Sequence, residues 1–392
     1  MKIRFIMHDV YGRGGGVLTV VRGLVEELAK RHEVELVSLF RARDEATHRL
    51  PPGVPVHTLI DNRPDQMPTG QTGRARRTAS QQPSRLIPAA EPRSRHYSRH
   101  SDEQLTQYME SLRDGVIVAM QPGLSIATAR LAHESTVSIA QEHRPFVVRP
   151  KEIRAAMVEH FPRLDTFLTL TDRDARRYRR IFKGNVDVAV MPNATPNFAI
   201  AQSDLSNKVV IGAGHLLKGK GFDRLVAAWS MVHQRHPDWE LRIFGDGKNK
   251  PELERQIAEL ELNGTARLMG YTNRLPEEMA KASIFVLSSR VEGYGMVLME
   301  AMSCGVPVVS FDCPTGPRDI VTHGEDGYLV PNHDIDALAD AIVEMIELPH
   351  EGRKALGAAG LQKAQDRSQA AIAARWEDLF REQQATKGKI PQ

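Results

Sequence analysis

The chain has 392 residues, of which 41% are hydrophobic and 26% are charged, and its formal net charge is +3. This length predicts two to three domains, and this composition excludes a disordered or fibrous protein. The apolar runs are too short for a membrane span, no signal peptide is recognisable, and the chain has only two cysteines. These three features predict a soluble cytoplasmic protein.

The first forty residues predict a strand over 2–8, a glycine-rich loop, a helix over 18–31 and a strand over 33–40. This βαβ order predicts a parallel sheet covered by helices, and further strands are expected near 115–119, 137–140 and 166–170. A second alternating series begins near Lys208. The two series predict an α/β fold of two doubly wound Rossmann-like domains, residues 1–195 and 206–366, that face each other across a cleft. Ligands of such sheets lie beyond the carboxyl ends of the strands.

Residues 41–110 show no helix or strand periodicity, because prolines and arginines interrupt the apolar positions. We therefore expect a long loop or a partly disordered insertion there. Its segment 63–100 contains eight arginines, no lysine and two acidic residues. This charge suggests an anionic partner, and a solvated disordered loop without a partner is an equally good interpretation. A nucleic-acid-binding segment is the alternative, but basic charge confined to one stretch and the scarcity of aromatic residues argue against it.

Two carboxylates separated by seven residues, Glu292 and Glu300, stand at the start of a predicted helix. The backbone N–H groups of Gly295, Met296 and Val297 would be free at that helix start and would favour an anion. By spacing alone, two solvated carboxylates are an equally good interpretation.

A basic loop follows the first strand of the second series and contains Lys220 between glycines. A lysine in such a loop can reach a diphosphate. The glycine spacing is not that of a Walker loop, and no Ser or Thr follows the lysine. A solvated basic turn is the alternative.

Residues 209–342 resemble the C-terminal domain of the family 4 glycosyltransferases, which are retaining nucleotide-sugar enzymes of the GT-B fold. Their E-x7-E motif is matched by Glu292 and Glu300, and the flanking stretches 301–309 and 324–330 are typical of the family. The resemblance implies that residues 1–195 form an acceptor-side domain and 206–366 a nucleotide-sugar-binding domain. It also implies that the final helix, within 367–392, crosses back to the N-terminal domain.

The resemblance also implies roles for individual residues of the second domain. Glu292 would contact the hydroxyls of the donor sugar, Glu300 those of the ribose, and Lys220 the diphosphate. His215 stands where the family usually has an arginine, which puts one diphosphate cation in doubt, although Lys218 is close in sequence. The N–H groups of Gly295, Met296 and Val297 would face the diphosphate. Base recognition would come from Gly270 and Tyr271.

The N-terminal domain contributes two further candidates. Gly15 and Gly16 belong to a loop that resembles the family's glycine-rich loop near the donor diphosphate, and Val17 breaks the dinucleotide-binding pattern. His143 follows a strand and matches the family's active-site histidine. The predicted catalytic residues are thus His143, Lys220 and Glu292. A plain tight turn and a structural histidine are the alternatives.

No metal ion and no cofactor are predicted, with the nucleotide sugar as co-substrate. The D-x-D sequence at Asp172 and Asp174 is better explained by Thr171 and Asp174 forming a capping box at a helix start. No cluster of histidine, cysteine or carboxylate residues has metal-ligand spacing.

Together these features predict a retaining transferase that moves a hexose-type sugar from a UDP-sugar to a hydroxylated acceptor. Residues 310–318 resemble the teichoic-acid-type branch, so an anionic polyol-phosphate polymer and a secondary metabolite are both candidate acceptors. A nucleotide-sugar-binding protein without transferase activity is the alternative. No nucleic-acid partner is expected, and peripheral membrane contact and the oligomeric state stay open.

Overall fold

The computed structural model describes residues 1–12, 16–196, 198 and 202–388. The chain divides into two compact units. Unit 1 holds Met1–Ala194 together with the C-terminal stretch that begins at Gln369, and unit 2 holds Thr195–Ser368.

In the described residues, unit 1 contains a seven-stranded sheet in the order β3-β2-β1-β4-β5-β6-β7, and all its pairs are parallel. The strand order reverses between β1 and β4, which is the switch point of a doubly wound sheet. The strands are β1 (Lys2–Met7), β2 (Glu33–Arg41), β3 (Val56–Asp61), β4 (Val116–Ala119), β5 (Val137–Gln141), β6 (Thr166–Thr169) and β7 (Asp187–Val190).

Helices cover both faces of this sheet. The first six are α1 (Gly16–Leu28), α2 (Gly70–Gln81), α3 (Arg99–Ser111), α4 (Pro122–Leu131), α5 (Lys151–His160) and α6 (Asp172–Phe182). Short 3-10 helices occupy Pro64–Gln66, Ser94–His96, Phe146–Val148 and Phe161–Arg163.

Unit 2 contains a six-stranded parallel sheet in the order β10-β9-β8-β11-β12-β13 among the residues that the structure describes. Its switch point lies between β8 and β11. The strands are β8 (Val209–Ala213), β9 (Glu240–Phe244), β10 (Ala266–Gly270), β11 (Ile284–Leu287), β12 (Val308–Asp312) and β13 (Gly327–Pro331). The two parallel sheets and their strand orders confirm the predicted α/β class with Rossmann-like domains.

The helices of unit 2 alternate with its strands, and one long helix completes the chain. They are α7 (Phe222–Arg235), α8 (Lys250–Glu259), α9 (Leu275–Met279), α10 (Met296–Ser303), α11 (Pro317–Ile320), α12 (Ile335–Glu347) and α13 (His350–Asp366), with a 3-10 turn over Lys218–Lys220. The last helix, α14 (Gln369–Lys387), belongs to unit 1.

Helix α14 packs on the face of the first sheet that α1 also covers. Its fully buried Trp376 contacts Phe5 of β1 edge to face, with 6.0 Å between ring centroids. Glu377 of the same helix accepts a hydrogen bond of 2.7 Å from Arg31, just beyond α1. Burial of a large aromatic side chain and this ion pair together attach the helix to unit 1.

The expectation of a long loop over residues 41–110 is wrong, because this stretch contains β3, α2 and most of α3. Leu105 and Tyr108 lie one turn apart on α3 and are buried against the sheet, and Ser98 closes a capping box at the helix start. Buried Asp102 also accepts hydrogen bonds from the N–H groups of residues 85 and 86. Because the apolar residues are few and arginines lie between them, the helical spacing of the apolar residues is not recognisable in the sequence.

No helix in the described part of the chain combines the length and the apolar character that crossing a bilayer requires.

Candidate active site

The candidate active site of unit 2 lies at its switch point, where the loops after β8 and β11 meet. Lys220 follows β8, Glu292 follows β11, and the Lys220 Nζ lies 2.6 Å from the Glu292 Oε1. The lysine side chain keeps 30% of its surface exposed, whereas the glutamate keeps 10%. The structure therefore joins two predicted residues at the edge where ligands of doubly wound sheets bind.

The backbone around Lys220 fixes its position, and Gly221 is essential to that geometry. Gly221 has φ +65°, and a Cβ there would lie 2.0 Å from the Ser288 carbonyl oxygen. Only glycine fits this close approach without a shift of the backbone. The Ser288 hydroxyl also donates to the Lys220 carbonyl oxygen at 3.1 Å. The glycine after Lys220 is therefore required by the way the two loops meet.

Two hydroxyls that the sequence analysis missed hold Glu292. The Ser289 hydroxyl donates to the Glu292 Oε1 at 2.5 Å, and the Thr315 hydroxyl donates to the Glu292 carbonyl oxygen. Ser289 stands three residues before the glutamate, which is a signal that the sequence offered. Thr315 comes from the loop after β12 and could be found only from the tertiary structure.

An ion pair behind the site was also missed. Arg290 donates two hydrogen bonds to the Asp223 carboxylate, at 2.8 and 2.6 Å, and a third to the Lys218 carbonyl oxygen at 2.6 Å. The Arg290 guanidinium holds the pKa of Asp223 below its usual value, in opposition to the effect of burial. This arrangement braces the loop that carries Lys220 against the loop that carries Glu292.

Helix α10 begins directly after the Glu292 loop. Gly295 precedes it with φ +94°, and the N–H groups at residues 295–297 lie at the start of the helix, where no intrahelical acceptor exists. Met296 and Val297 thus contribute backbone donors, as predicted for an anion site. Whether they bind a diphosphate stays a prediction.

Glu300 lies one turn inside α10 among buried apolar neighbours. Burial raises the pKa of Glu300 to about 7, and the nearby Lys220 opposes that rise. The glutamate is therefore close to Lys220, and its charge depends on pH in the neutral range. The Glu300 residue is intermediate in surface exposure, so its role in binding stays a prediction.

Three other predicted residues lie on the same edge of the sheet of unit 2, and among the described residues no hydrogen bond or ion pair joins them to the Lys220–Glu292 pair. His215 is exposed in the loop after β8. Gly270 ends the edge strand β10, and Tyr271 follows it with 76% of its surface exposed. Because β10 is two strands from β8, about 10 Å separates Tyr271 from the switch point. Exposed aromatic surface at that distance is compatible with contact to a base.

Unit 1 places His143 just beyond the carboxyl end of β5. The side chain is buried, and its Nε2 lies 3.4 Å from the Met120 Sδ. Burial, assisted by the charge of Arg149, lowers the pKa of His143 to about 3. The imidazole is therefore neutral near pH 7 and can donate or accept one hydrogen bond per nitrogen. Gly16 begins α1, and Gly15 lies outside the described residues.

A buried ion pair positions the loop of His143, and the sequence analysis overlooked it. Glu142 accepts hydrogen bonds from the N–H groups of His143 and Arg144 at 2.8 and 3.0 Å. Arg149 binds the same carboxylate with two nitrogens. A carboxylate immediately before the histidine was the available signal, whereas the arginine partner depends on the fold.

Among the described residues, no group of three or more histidine, cysteine or carboxylate side chains could hold a metal ion. The Thr171 hydroxyl accepts a hydrogen bond from the Asp174 N–H at 3.1 Å, which is one of the two bonds of the predicted capping box.

Comparisons with known proteins agree with this architecture. Residues 194–363 match the family model described as glycosyl transferases group 1. An exopolysaccharide phosphotransferase of Streptomyces coelicolor is 32% identical over 97% of this chain and 41% of its own length. A poly(glycerol-phosphate) alpha-glucosyltransferase of Bacillus subtilis is 34% identical over 33% of this chain and 19% of its own length. The chain thus spans less than half of either relative.

The fold has a close counterpart among solved structures. The pneumococcal O-GlcNAc transferase GtfA, in complex with UDP and GlcNAc, superposes with a TM-score of 0.74 at 16% identity, over 98% of this chain and 99% of that one. At this identity the likeness shows the fold, which is that of the GT-B glycosyltransferases. Residues 194–363 therefore form a domain similar to the glycosyl transferases group 1.

Proposed function

We propose that the protein is a retaining glycosyltransferase that moves a hexose-type sugar from a UDP-sugar to a hydroxylated acceptor. One observation carries this proposal. The Lys220 ammonium and the Glu292 carboxylate are 2.6 Å apart at the switch point of unit 2, beside the start of α10. A cation, a hydrogen-bond acceptor and free backbone donors at one place suit a sugar diphosphate.

The chemistry requires stabilisation of a leaving group. When the bond between the anomeric carbon and the diphosphate oxygen breaks, negative charge develops on the diphosphate. Lys220 and the N–H groups at the start of α10 would stabilise that charge, and such preorganised donors are usually the largest catalytic contribution. Because these donors belong to the protein, we propose that neither a metal ion nor a cofactor is needed.

The two carboxylates would orient the donor. A carboxylate accepts paired hydrogen bonds from neighbouring hydroxyls, so Glu292 would bind the sugar and Glu300 the ribose. Glu292 is already held by Ser289 and Lys220, which limits its rotation before the donor arrives. Retention of configuration rests on the family resemblance, and the anomeric signal of the product in an NMR spectrum tests it.

The comparisons support UDP as the nucleotide. The pneumococcal relative in fold was crystallised with UDP and GlcNAc. In this chain, Tyr271 and Gly270 at the end of β10 would contact the base, and His215 would stand near the diphosphate in place of an arginine.

Unit 1 would bind the acceptor. A relative in sequence is named for transfer to poly(glycerol-phosphate), which is both hydroxylated and anionic. The arginines of segment 63–100 belong to unit 1 and provide positive charge for such an acceptor. Neutral His143 would hold the reacting hydroxyl or the sugar by a hydrogen bond.

Release of UDP tests the proposal. Thermal shift with a panel of UDP-, GDP- and ADP-sugars identifies the donor, since a ligand at 100 times its Kd stabilises the fold by about 2.7 kcal/mol. A coupled assay with that donor and glycerol-phosphate oligomers then measures UDP release, with and without EDTA. Donor binding without any UDP release would favour the non-catalytic nucleotide-sugar-binding alternative.

A further inference from the structure

The switch point of unit 1 contains a pair of histidines that no predicted role accounts for. His8 follows β1, and its backbone N–H donates to the Gln121 Oε1, just beyond β4, at 2.9 Å. The His8 Nε2 lies 3.2 Å from the Nδ1 of His96 in the 3-10 turn Ser94–His96. Part of the arginine segment therefore folds onto the edge of the sheet where ligands of doubly wound domains bind.

His8 is an anchor for this turn. Its side chain is 5% exposed and packs edge to face against Tyr97, 5.3 Å between ring centroids. Burial, followed by the charges of Arg93 and His96, lowers the pKa of His8 to about 3. The His96 ring contacts His8 through its Nδ1 alone, and the residue is exposed. The His96 Nε2 is therefore available to a ligand.

Two exposed arginines flank this turn. Arg93 and Arg95 form no ion pair or side-chain hydrogen bond with residues that the structure describes. By contrast, Arg63 and Arg76 of the same segment are engaged by Asp61 and its neighbours. The charges of Arg95 and Arg93 contribute, after burial, to a lowered pKa of His96. Positive potential is thus concentrated around a neutral imidazole.

Neither Glu91 nor Asp9 forms an ion pair with these arginines, although the charge of Arg93 acts on Glu91. Glu91 is 8% exposed, burial raises its pKa, and it accepts a hydrogen bond from the Gly123 N–H at the start of α4. That helix start, which would otherwise attract an anion, is therefore occupied. Asp9 accepts hydrogen bonds from the N–H groups of Tyr11 and Gly12 at 2.8 and 3.1 Å. Arg93 and Arg95 therefore stay available to an external anion.

We propose that Arg93, Arg95 and His96 form a subsite for a phosphate group of the acceptor. The phosphate class of ligand rests on the proposed function, whereas the existence of an anion subsite rests on the geometry above. Guanidinium groups bind phosphate oxygens with paired N–H donors. The His96 Nε2 adds a further donor in the tautomer whose Nδ1 accepts a hydrogen bond from the His8 Nε2. The subsite lies at the end of β1, and His143 at the end of β5.

This spacing suits an acceptor with a phosphate next to the reacting hydroxyl. Strands β1, β4 and β5 are adjacent in the sheet, so two strand spacings, about 10 Å, separate the ends that carry His8 and His143. A phosphate held at the arginines would place a neighbouring sugar or polyol unit beside His143. A neutral acceptor would gain nothing from this subsite.

Direct binding, without any donor, tests the subsite. The probe is a glycerol-phosphate oligomer, titrated by calorimetry into the full chain at 20 and at 300 mM salt. We expect the double variant Arg93→Gln/Arg95→Gln to weaken binding at least tenfold at low salt and to flatten the salt dependence. The matched control is Arg176→Gln/Arg180→Gln, which removes the same charge from the exposed surface of α6, outside segment 63–100. Its affinity should stay within threefold of the parent.

Several outcomes would overturn the proposal. Equal weakening in both double variants would mean that only overall charge matters. Binding to vesicles of anionic lipid that depends on Arg93 and Arg95, without oligomer binding, would assign the arginines to a membrane surface. UDP affinity, measured on the same samples, should be unchanged in both variants. If the parent protein does not bind UDP, the proposed function is contradicted. The result for the anion subsite is still valid in that case, because it is measured without any donor.

Discussion

The Lys220 ammonium contacts the Glu292 carboxylate at 2.6 Å, although 72 positions separate the two residues in the chain. Adjacent strands β8 and β11 bring them together, because their carboxyl ends share one edge of a parallel sheet. The contact keeps a cation next to the carboxylate that we assign to the donor sugar. It also means that a diphosphate must compete with Glu292 for the lysine or bind the lysine together with Glu292.

Lys220→Ala should reduce kcat by about two orders of magnitude or more, while Kd for UDP rises modestly. A preorganised cation stabilises the leaving group mainly in the transition state, and removal of one such donor costs about 10²- to 10³-fold. Steady-state UDP release and calorimetry measure the two effects. Lys208→Ala, at the opposite end of β8, is the matched control. Equal kcat in both variants would exclude Lys220 from catalysis.

Glu300 should make UDP binding pH-dependent. Burial raises its pKa to about 7, so the charged form that binds ribose hydroxyls becomes populated as pH rises from 6 to 8. UDP affinity should increase over that range in the parent and stay flat in Glu300→Gln, as followed by calorimetry. The exposed Glu254→Gln is the control. The same raised pKa means that the ligand-free protein loses thermal stability as pH rises from about 4.5 to 7, and Glu300→Gln should remove that loss.

His143→Ala should cut turnover by about two orders of magnitude and leave UDP affinity within a few fold, as expected for a positioned polar group. Because burial lowers the pKa of His143 to about 3, no kinetic step between pH 5 and 8 should arise from this residue. Pre-steady-state and pH-rate measurements test both statements. His133→Ala, which lies before β5 rather than beyond it, should have normal turnover. Near-normal turnover in His143→Ala would make the residue structural.

Gly221→Ala should damage the site through the backbone. A Cβ would meet the Ser288 carbonyl oxygen at 2.0 Å at a residue with φ +65°, so the loop that carries Lys220 must move. The strained conformation alone costs about 1–3 kcal/mol. Gly219→Ala is a close control, because nothing lies within 4 Å of its Cβ position. A lower Tm and lost turnover are expected only for Gly221→Ala, and equal Tm values would contradict this account.

Trp376→Ala should lower the free energy of unfolding by about 3–5 kcal/mol, the usual cost of removing a large buried aromatic side chain. The tryptophan is buried against Phe5, so its loss removes the largest side chain that packs α14 on unit 1. Urea denaturation measures the change. Glu382→Ala, on the exposed surface of the same helix, should have an effect below 0.5 kcal/mol. Similar stability of the two variants would show that α14 does not contribute to the folding of unit 1.

The sequence by itself determined the fold class and the main candidate residues, because both depend on local order. Alternating strands and helices specify parallel sheets, and the spacing of Glu292 and Glu300 specifies two carboxylates at one helix start. The glycine that follows Lys220 can also be read from the sequence, but the reason why a glycine is needed there cannot. That reason is the Ser288 carbonyl oxygen, which comes from a distant part of the chain.

Only the tertiary structure decided which residues meet across strands. Thr315, Arg290 and Arg149 act on Glu292, Asp223 and Glu142 through contacts between loops, which local pattern does not encode. The error over residues 41–110 has the same origin. In that stretch a few apolar side chains among many arginines pack against a face of the sheet. Burial against that face stabilises helices that the local sequence does not predict.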